Sequence, residues 1–299
     1  MEFFDYFTRL FGMDPTQLPV YLRVMTFIVP VVFVVFFVCL IVSKVKKAVK
    51  VIRHVTAGIR VKEDSGLSAD EVRKISVGAL YAYQQGGYVD VMDPDVDESR
   101  LSTILSEWWD INDRDSAIET VNYLGNAPTQ NLLPLVCSAF NASSKNEAMR
   151  IITDTVTNDP EIKNHPEGME LAKGVIGKAE NQLDNLKSEY DSLVNDGIIS
   201  SASDIERLGV IAWDAGRLNF VARAAMQKGY LTQEECQHCV DHAYEMSLSA
   251  GFNSWKDFAN SYMLGRVMWN GDNNMGALAE DLLTKPNSPW VRFPWKSGG

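Results

Sequence analysis

The longest unbroken apolar run in the chain is VMTFIVPVVFVVFFVCLIV, Val24 to Val42, nineteen positions without a charge. Wound as a helix it measures about 28 Å, the thickness of a bilayer's hydrocarbon core. The pattern predicts one transmembrane helix, with Pro30 tolerated inside it as lipid-embedded helices allow. Beyond it the apolar positions become periodic. Ser68 and Glu71 have capping-box spacing, and Val72, Ile75, Ala79 and Leu80 recur at helical intervals as far as Gly86-Gly87. Residues 88–100 read as an acidic turn region, followed by a short segment Leu101 to Trp109. Asn112 is placed to cap a helix from Asp113 to Leu124. Residues 131–156 divide into two short helices around Ala142 to Lys145, and NDPEIKNHPEG reads as a loop.

From Glu167 to Asn195 the pattern is long, with Leu183, Leu186, Tyr190 and Leu193 stepping 3-4-3 as in a coiled-coil seam. Ser203 and Glu206 suggest a second capping box, opening a helix whose apolar face runs from Leu208 through Ile211, Ala215 and Leu218 to Ala225. Two such helices joined by about eight residues are expected to form an antiparallel hairpin. Thr232 and Glu235 box a further helix with Cys236, Cys239, Ala243, Met246 and Ala250 inward. Phe252 and Trp255 open another that ends at Trp269. The tail SPWVRFPW has two prolines and is not expected to form regular helix. No strand pairs stand out. The expected fold is all-α: one N-terminal transmembrane helix followed by a multi-helix cytoplasmic domain.

Charge sets the orientation. Between Ser43 and Lys62 lie seven basic residues, Lys44, Lys46, Lys47, Lys50, Arg53, Arg60 and Lys62, and no acid. Positive flanks stay on the cytoplasmic side. Residues 1–23 are therefore expected outside a bacterial inner membrane, 43–66 as a basic juxtamembrane linker, and 67–299 as a cytoplasmic domain. In a cleaved signal peptide the positive charge would precede the apolar run instead of following it. A buried core helix is the other alternative. Lys44, Lys46, Lys47, Lys50 and Arg53 suit anionic lipid headgroups, at about 1 kcal/mol each near the surface, or simply enforce topology. Residues 63–299 hold nineteen Lys or Arg against thirty-six Asp or Glu, so the domain is strongly acidic. A nucleic-acid partner needs a basic face and is not expected.

Candidate chemistry is sparse. Cys236 and Cys239 form a C-x-x-C beside His238 and His242, but no second such pair completes a four-ligand zinc site. The βαβ setting of a thioredoxin-like motif is also absent. Structural thiols are the leading reading, and no metal or cofactor is expected. No phosphate-binding loop, dinucleotide fingerprint or nucleophile elbow is present. Asp93, Asp95, Asp97 and Glu98 only loosely resemble a calcium loop. Asp214 and Arg217 are neighbours at helical spacing, Trp213 precedes them, and Arg223 lies six residues further on. Arg266 lies on another helix, where Trp255, Tyr262 and Trp269 recur seven apart. A cleft between these helices could hold an anion, with Trp213, Asp214, Arg217, Arg266 and Trp269 as its lining. The competing reading is a buried ion pair and core tryptophans. Trp290 and Trp295 fit either a strap across the helices or anchors for a partner.

Several segments resemble one bacterial family, domain of unknown function 1266. They are AWDAGRLNFVARAAMQKGYL at 212–231, SWKDFANSYMLGRVMW at 254–269, SPWVRFPW at 288–295 and WWDINDRD at 108–115. Cys236 stands where the family pattern suggests Ala. The resemblance implies an all-α domain and supplies no mechanism. The expected function is a non-catalytic, protein-interaction or regulatory role at the inner membrane, with an accessory or immunity role in an antibacterial toxin system as a narrower version. The alternative is an enzyme or small-anion sensor using the Asp/Arg/Trp cleft.

Overall fold

The computed structural model describes residues 58–295, which belong to one compact unit. Among them every regular element is a helix, and none is long and apolar enough to cross a membrane. The segment Val24–Val42, the headgroup candidates Lys44, Lys46, Lys47, Lys50 and Arg53, and Cys39 lie outside the described residues.

The domain begins earlier than the expected boundary at residue 67. Ile59 is buried, and the Val89 N–H donates to the Arg60 carbonyl at 3.1 Å. The Arg60 guanidinium donates to the Gly86 carbonyl at 2.7 Å and pairs with Asp95 at 2.7 Å, above the Tyr88 ring. Arg60 thus serves the fold, and part of the assigned linker is domain.

α1 (Ala69–Ser76) opens on the expected Ser68–Glu71 capping box, and α2 (Ala79–Gln85) follows after a break at Val77-Gly78. A β-carbon at Gly78 would collide with the Asn219 amide, so this break lets a central helix approach. α3 (Glu98–Ser102) runs into a π-helical turn, Thr103–Trp108. α4 (Arg114–Gly125) is capped by Asp113, one residue later than the sequence suggests, because Asp113 and Ser116 satisfy each other's backbone N–H groups. α5 (Pro128–Phe140) and α6 (Lys145–Asn158) are the two expected short helices, and the Pro-rich loop contains one turn, α7 (Pro160–Asn164). α8 (Gly168–Asn195) is the long helix; Leu183, Leu186 and Leu193 of its seam are buried.

The expected hairpin is corrected. The second helix is two: α9 (Ser203–Leu208) and α10 (Ile211–Gln227). Gly209 between them has φ 63° and ψ −174°, a region open essentially only to glycine, and the freed Val210 N–H donates to Gln130 Oε1 at 2.7 Å. Nor does Ser203 cap α9, which starts at Ser203 itself after Ala202. α8 packs on α12 (Trp255–Asn270), while the main neighbour of α10 is α11 (Gln233–Ser249), whose Thr232–Glu235 box forms as expected. α13 (Gly276–Thr284) has no counterpart in the sequence reading, and the tail, expected to be irregular, carries one helical turn, α14 (Pro289–Arg292).

α10 is the organising element. Every residue from Ile211 to Ala225 is buried, including Asp214, Arg217, Asn219 and Arg223. It is wrapped by α2, α4, α5, α11 and α12, not lined on one face. Its small residues allow this: a β-carbon on Gly216 would come within 2.7 Å of the Tyr262 ring. A helix buried all round must place its polar side chains against specific partners, and those partners build the site.

Candidate site around Arg217

Asp214 is fully buried, and both oxygens of its carboxylate are hydrogen-bonded. Oδ2 accepts the backbone N–H groups of Thr129 (3.0 Å) and Gln130 (2.9 Å), the first turn of α5. Ala127, before α5, is left-handed (φ 48°) and offers no side-chain cap; Asp214 supplies that cap from another helix. Oδ1 pairs with Arg217 Nη2. Arg217 also donates from Nη2 to Thr129 Oγ1 (2.9 Å) and from Nε to the Trp213 carbonyl (3.3 Å).

Three tryptophans surround the Arg217 guanidinium. Its carbon lies 4.6 Å from the Trp213 ring centre, 5.7 Å from Trp109 and 5.9 Å from Trp269. Trp213 packs edge-on to Tyr262 at 5.0 Å. Arg266 stands 5.9 Å from the Trp213 ring, held by Asp272 (3.2 Å) and Asn274 (3.0 Å). Trp213, Asp214, Arg217, Arg266 and Trp269 are therefore brought together as the spacing suggested. Of these, Trp269 reaches solvent, at 56% exposure.

Sequence reasoning missed part of this assembly. Trp109 Nε1 donates to the Tyr81 hydroxyl at 3.0 Å. Burial pushes the Tyr81 phenol up, against the combined positive charge of Arg217, Arg100 and Arg266. Arg100 donates to Gln85 Oε1 from Nε (2.8 Å) and from Nη2, and lies 4.4 Å above the half-exposed Trp108. The irregular π-helical turn swings Trp108 and Trp109 into place, and WWD was the one sequence signal pointing there.

Other candidates separate from the site. Arg223 is fully buried and donates to the carbonyls of Tyr88 (2.7 Å), Val91 (2.6 Å) and Met92 (3.2 Å), clamping the loop after α2. Burial brings its pKa down to about 10, so it remains a cation at neutral pH. Trp290 and Trp295 are buried with Trp255, Phe252 and Phe258; Trp255 and Trp290 stack at 4.9 Å. Trp290 Nε1 donates to the Ser76 carbonyl and Trp255 Nε1 to that of Phe293. The tail is a strap here, and neither ring is free on the surface as a partner anchor. Trp255 belongs to this cluster, away from Arg217.

Cys236 is buried against Met92, and burial pushes its thiol up to about 12 and that of Cys239 to about 11. Among the described residues no cluster of three or more His, Cys, Asp or Glu is placed to hold a metal. An open groove of about 920 Å³ between α4 and α11 is lined in part by Glu234, Glu235, His238, Cys239 and Asp241. Glu235 pairs with Arg114 and Asp241 with Lys74.

The fold and site define an all-helical domain around a buried polar helix whose central arginine sits among tryptophans. The model of the family described as protein of unknown function (DUF1266) matches residues 104–295, and the chain belongs to that family. No curated protein and no solved structure matches the chain significantly.

Proposed function

We propose that this chain is a single-pass inner-membrane protein whose acidic helical domain faces the cytoplasm and acts by binding, without catalysing a reaction. The observation that carries the non-catalytic part is the Asp214 carboxylate. It is fully buried and accepts two backbone N–H groups and one guanidinium, which commits it to holding α10 against the start of α5. The thiols at positions 236 and 239 are held protonated at neutral pH, so neither is an activated nucleophile. The anchor rests on the apolar length of Val24–Val42 and the basic run that follows it. Accessory or immunity roles in a toxin system fall within this proposal.

Proximity labelling tests it. A biotin ligase fused after Gly299 should tag a reproducible set of cytoplasmic or membrane proteins in intact cells. Deleting residues 24–42 should release the fusion from membranes and change that set. Labelling indistinguishable from free ligase, or activity of the fused enzyme only in the periplasm, overturns the proposal.

A further inference from the structure

We infer that the Trp-lined assembly around Arg217 is a binding site for a small oxyanion carrying a flat ring. The argument is an inventory of donors without acceptors. Arg100, Arg217 and Arg266 make their bonds through Nε and Nη2, and for none of them does Nη1 have a partner among the described residues. Those three Nη1 atoms are also not sealed from solvent. Trp213 is 4% exposed, and its Nε1–H is buried without an acceptor. The Tyr81 oxygen accepts from Trp109, while its own proton has no acceptor among the described residues.

Five donors in one neighbourhood thus lack what an oxyanion provides. Of the five, the Trp213 Nε1–H is buried with no acceptor, which costs about 1–3 kcal/mol, while the three Nη1 atoms reach solvent and stand free to meet an oxyanion. The charge balance agrees. Three guanidiniums meet two carboxylates, Asp214 and Asp272, because the partner of Arg100 is the neutral Gln85 amide. This local excess of positive charge stands within a strongly acidic domain. Guanidinium forks match carboxylate and phosphate oxygens, and the exposed Trp269 ring offers a stacking surface for a planar group.

The inference rests on the binding part of the proposed function, for which it names a ligand class, and stands apart from whether that ligand is converted. The test is calorimetric titration of the purified full chain in detergent with two matched pairs, benzoate against acetate and phenyl phosphate against inorganic phosphate. The pairs separate carboxylate from phosphate and the ring from the charge. At least one ringed probe should bind saturably and at least tenfold tighter than its ringless counterpart. Arg100→Gln and Tyr81→Phe, each confirmed folded by its melting temperature, should each weaken that binding several-fold. Trp269→Ala should remove the preference for the ring. Absence of saturable binding by all four probes, equal binding within both pairs, or unchanged binding in both Arg100→Gln and Tyr81→Phe overturns the site and leaves the non-catalytic reading standing. Binding followed by conversion of the probe supports the site and overturns that reading.

Discussion

Asp214 caps a helix to which it does not belong: its Oδ2 holds the Thr129 N–H at 3.0 Å while its Oδ1 holds Arg217. One buried carboxylate therefore ties α10 to the start of α5 and neutralises the guanidinium at the centre of the domain. Asp214→Ala would leave Arg217 buried without its counter-charge. A loss of about 3–5 kcal/mol is expected, read as a lower urea midpoint. Asp214→Asn keeps one acceptor and should cost less. If Arg217→Ala instead left the urea midpoint untouched, the pair would not be a structural tie.

Gly265 faces Trp213 so closely that a β-carbon there would overlap the tryptophan's own Cβ. Gly265→Ala forces α10 and α12 apart, with an expected cost of about 1–3 kcal/mol. The Trp213 fluorescence should shift as the ring loses its packing against Tyr262. Gly174→Ala, where nothing lies within 4 Å of the added carbon, serves as the control and should be neutral or slightly stabilising.

The tail strap is testable through Trp295, which is 3% exposed and packs on Trp255, Phe252 and Phe258. Trp295→Ala should cost about 3–5 kcal/mol. A merely decorative tail would show a change within experimental error in the same denaturation curve.

Glu235 has its pKa lowered from 4.5 to about 2, first by the Arg114 guanidinium and then by the Thr232 backbone and hydroxyl. The folded value lies below the unfolded one, so its contribution to stability is complete above the ordinary range and fades as pH falls toward about 2. Arg114→Ala should move the Glu235 carboxyl midpoint back toward 4.5 in a carbon-detected NMR titration. A midpoint that stays put would remove Arg114 as the cause.

Burial pushes the thiols of Cys137 and Cys239 to about 11 and that of Cys236 to about 12. In a Cys39→Ser background, iodoacetamide at pH 8 should modify the native protein slowly and the urea-unfolded protein at once, counted by mass spectrometry. Rapid native labelling at Cys236 or Cys239 would reopen the redox reading of that pair.

Periodicity and caps were legible along the chain. The Ser68–Glu71 and Thr232–Glu235 boxes, the α8 seam and the helical character of the domain all depend on neighbours within a few residues, so local chemistry specifies them. The grouping of Trp213, Asp214 and Arg217 was visible for the same reason, and the seven-residue step to Trp269 placed it on a helix that could meet them. What the residue order left undecided is which helix packs on which. The α8–α10 hairpin looked natural from loop length, yet Gly209 turns the chain and α8 packs on α12 instead. Thr129 bonds Arg217, and Tyr81 lies within reach of the Arg217 charge, across separations of 88 and 136 positions that no periodic pattern encodes. Whether Asp214 lines a cleft or caps a helix was likewise a tertiary decision, because its partners are backbone amides on another helix. Local hydrogen bonding and hydrophobic spacing fix the elements; the close approach permitted by Gly216 and Gly265, and the partners that Asp214, Arg217 and Arg223 need on a helix buried all round, fix their assembly.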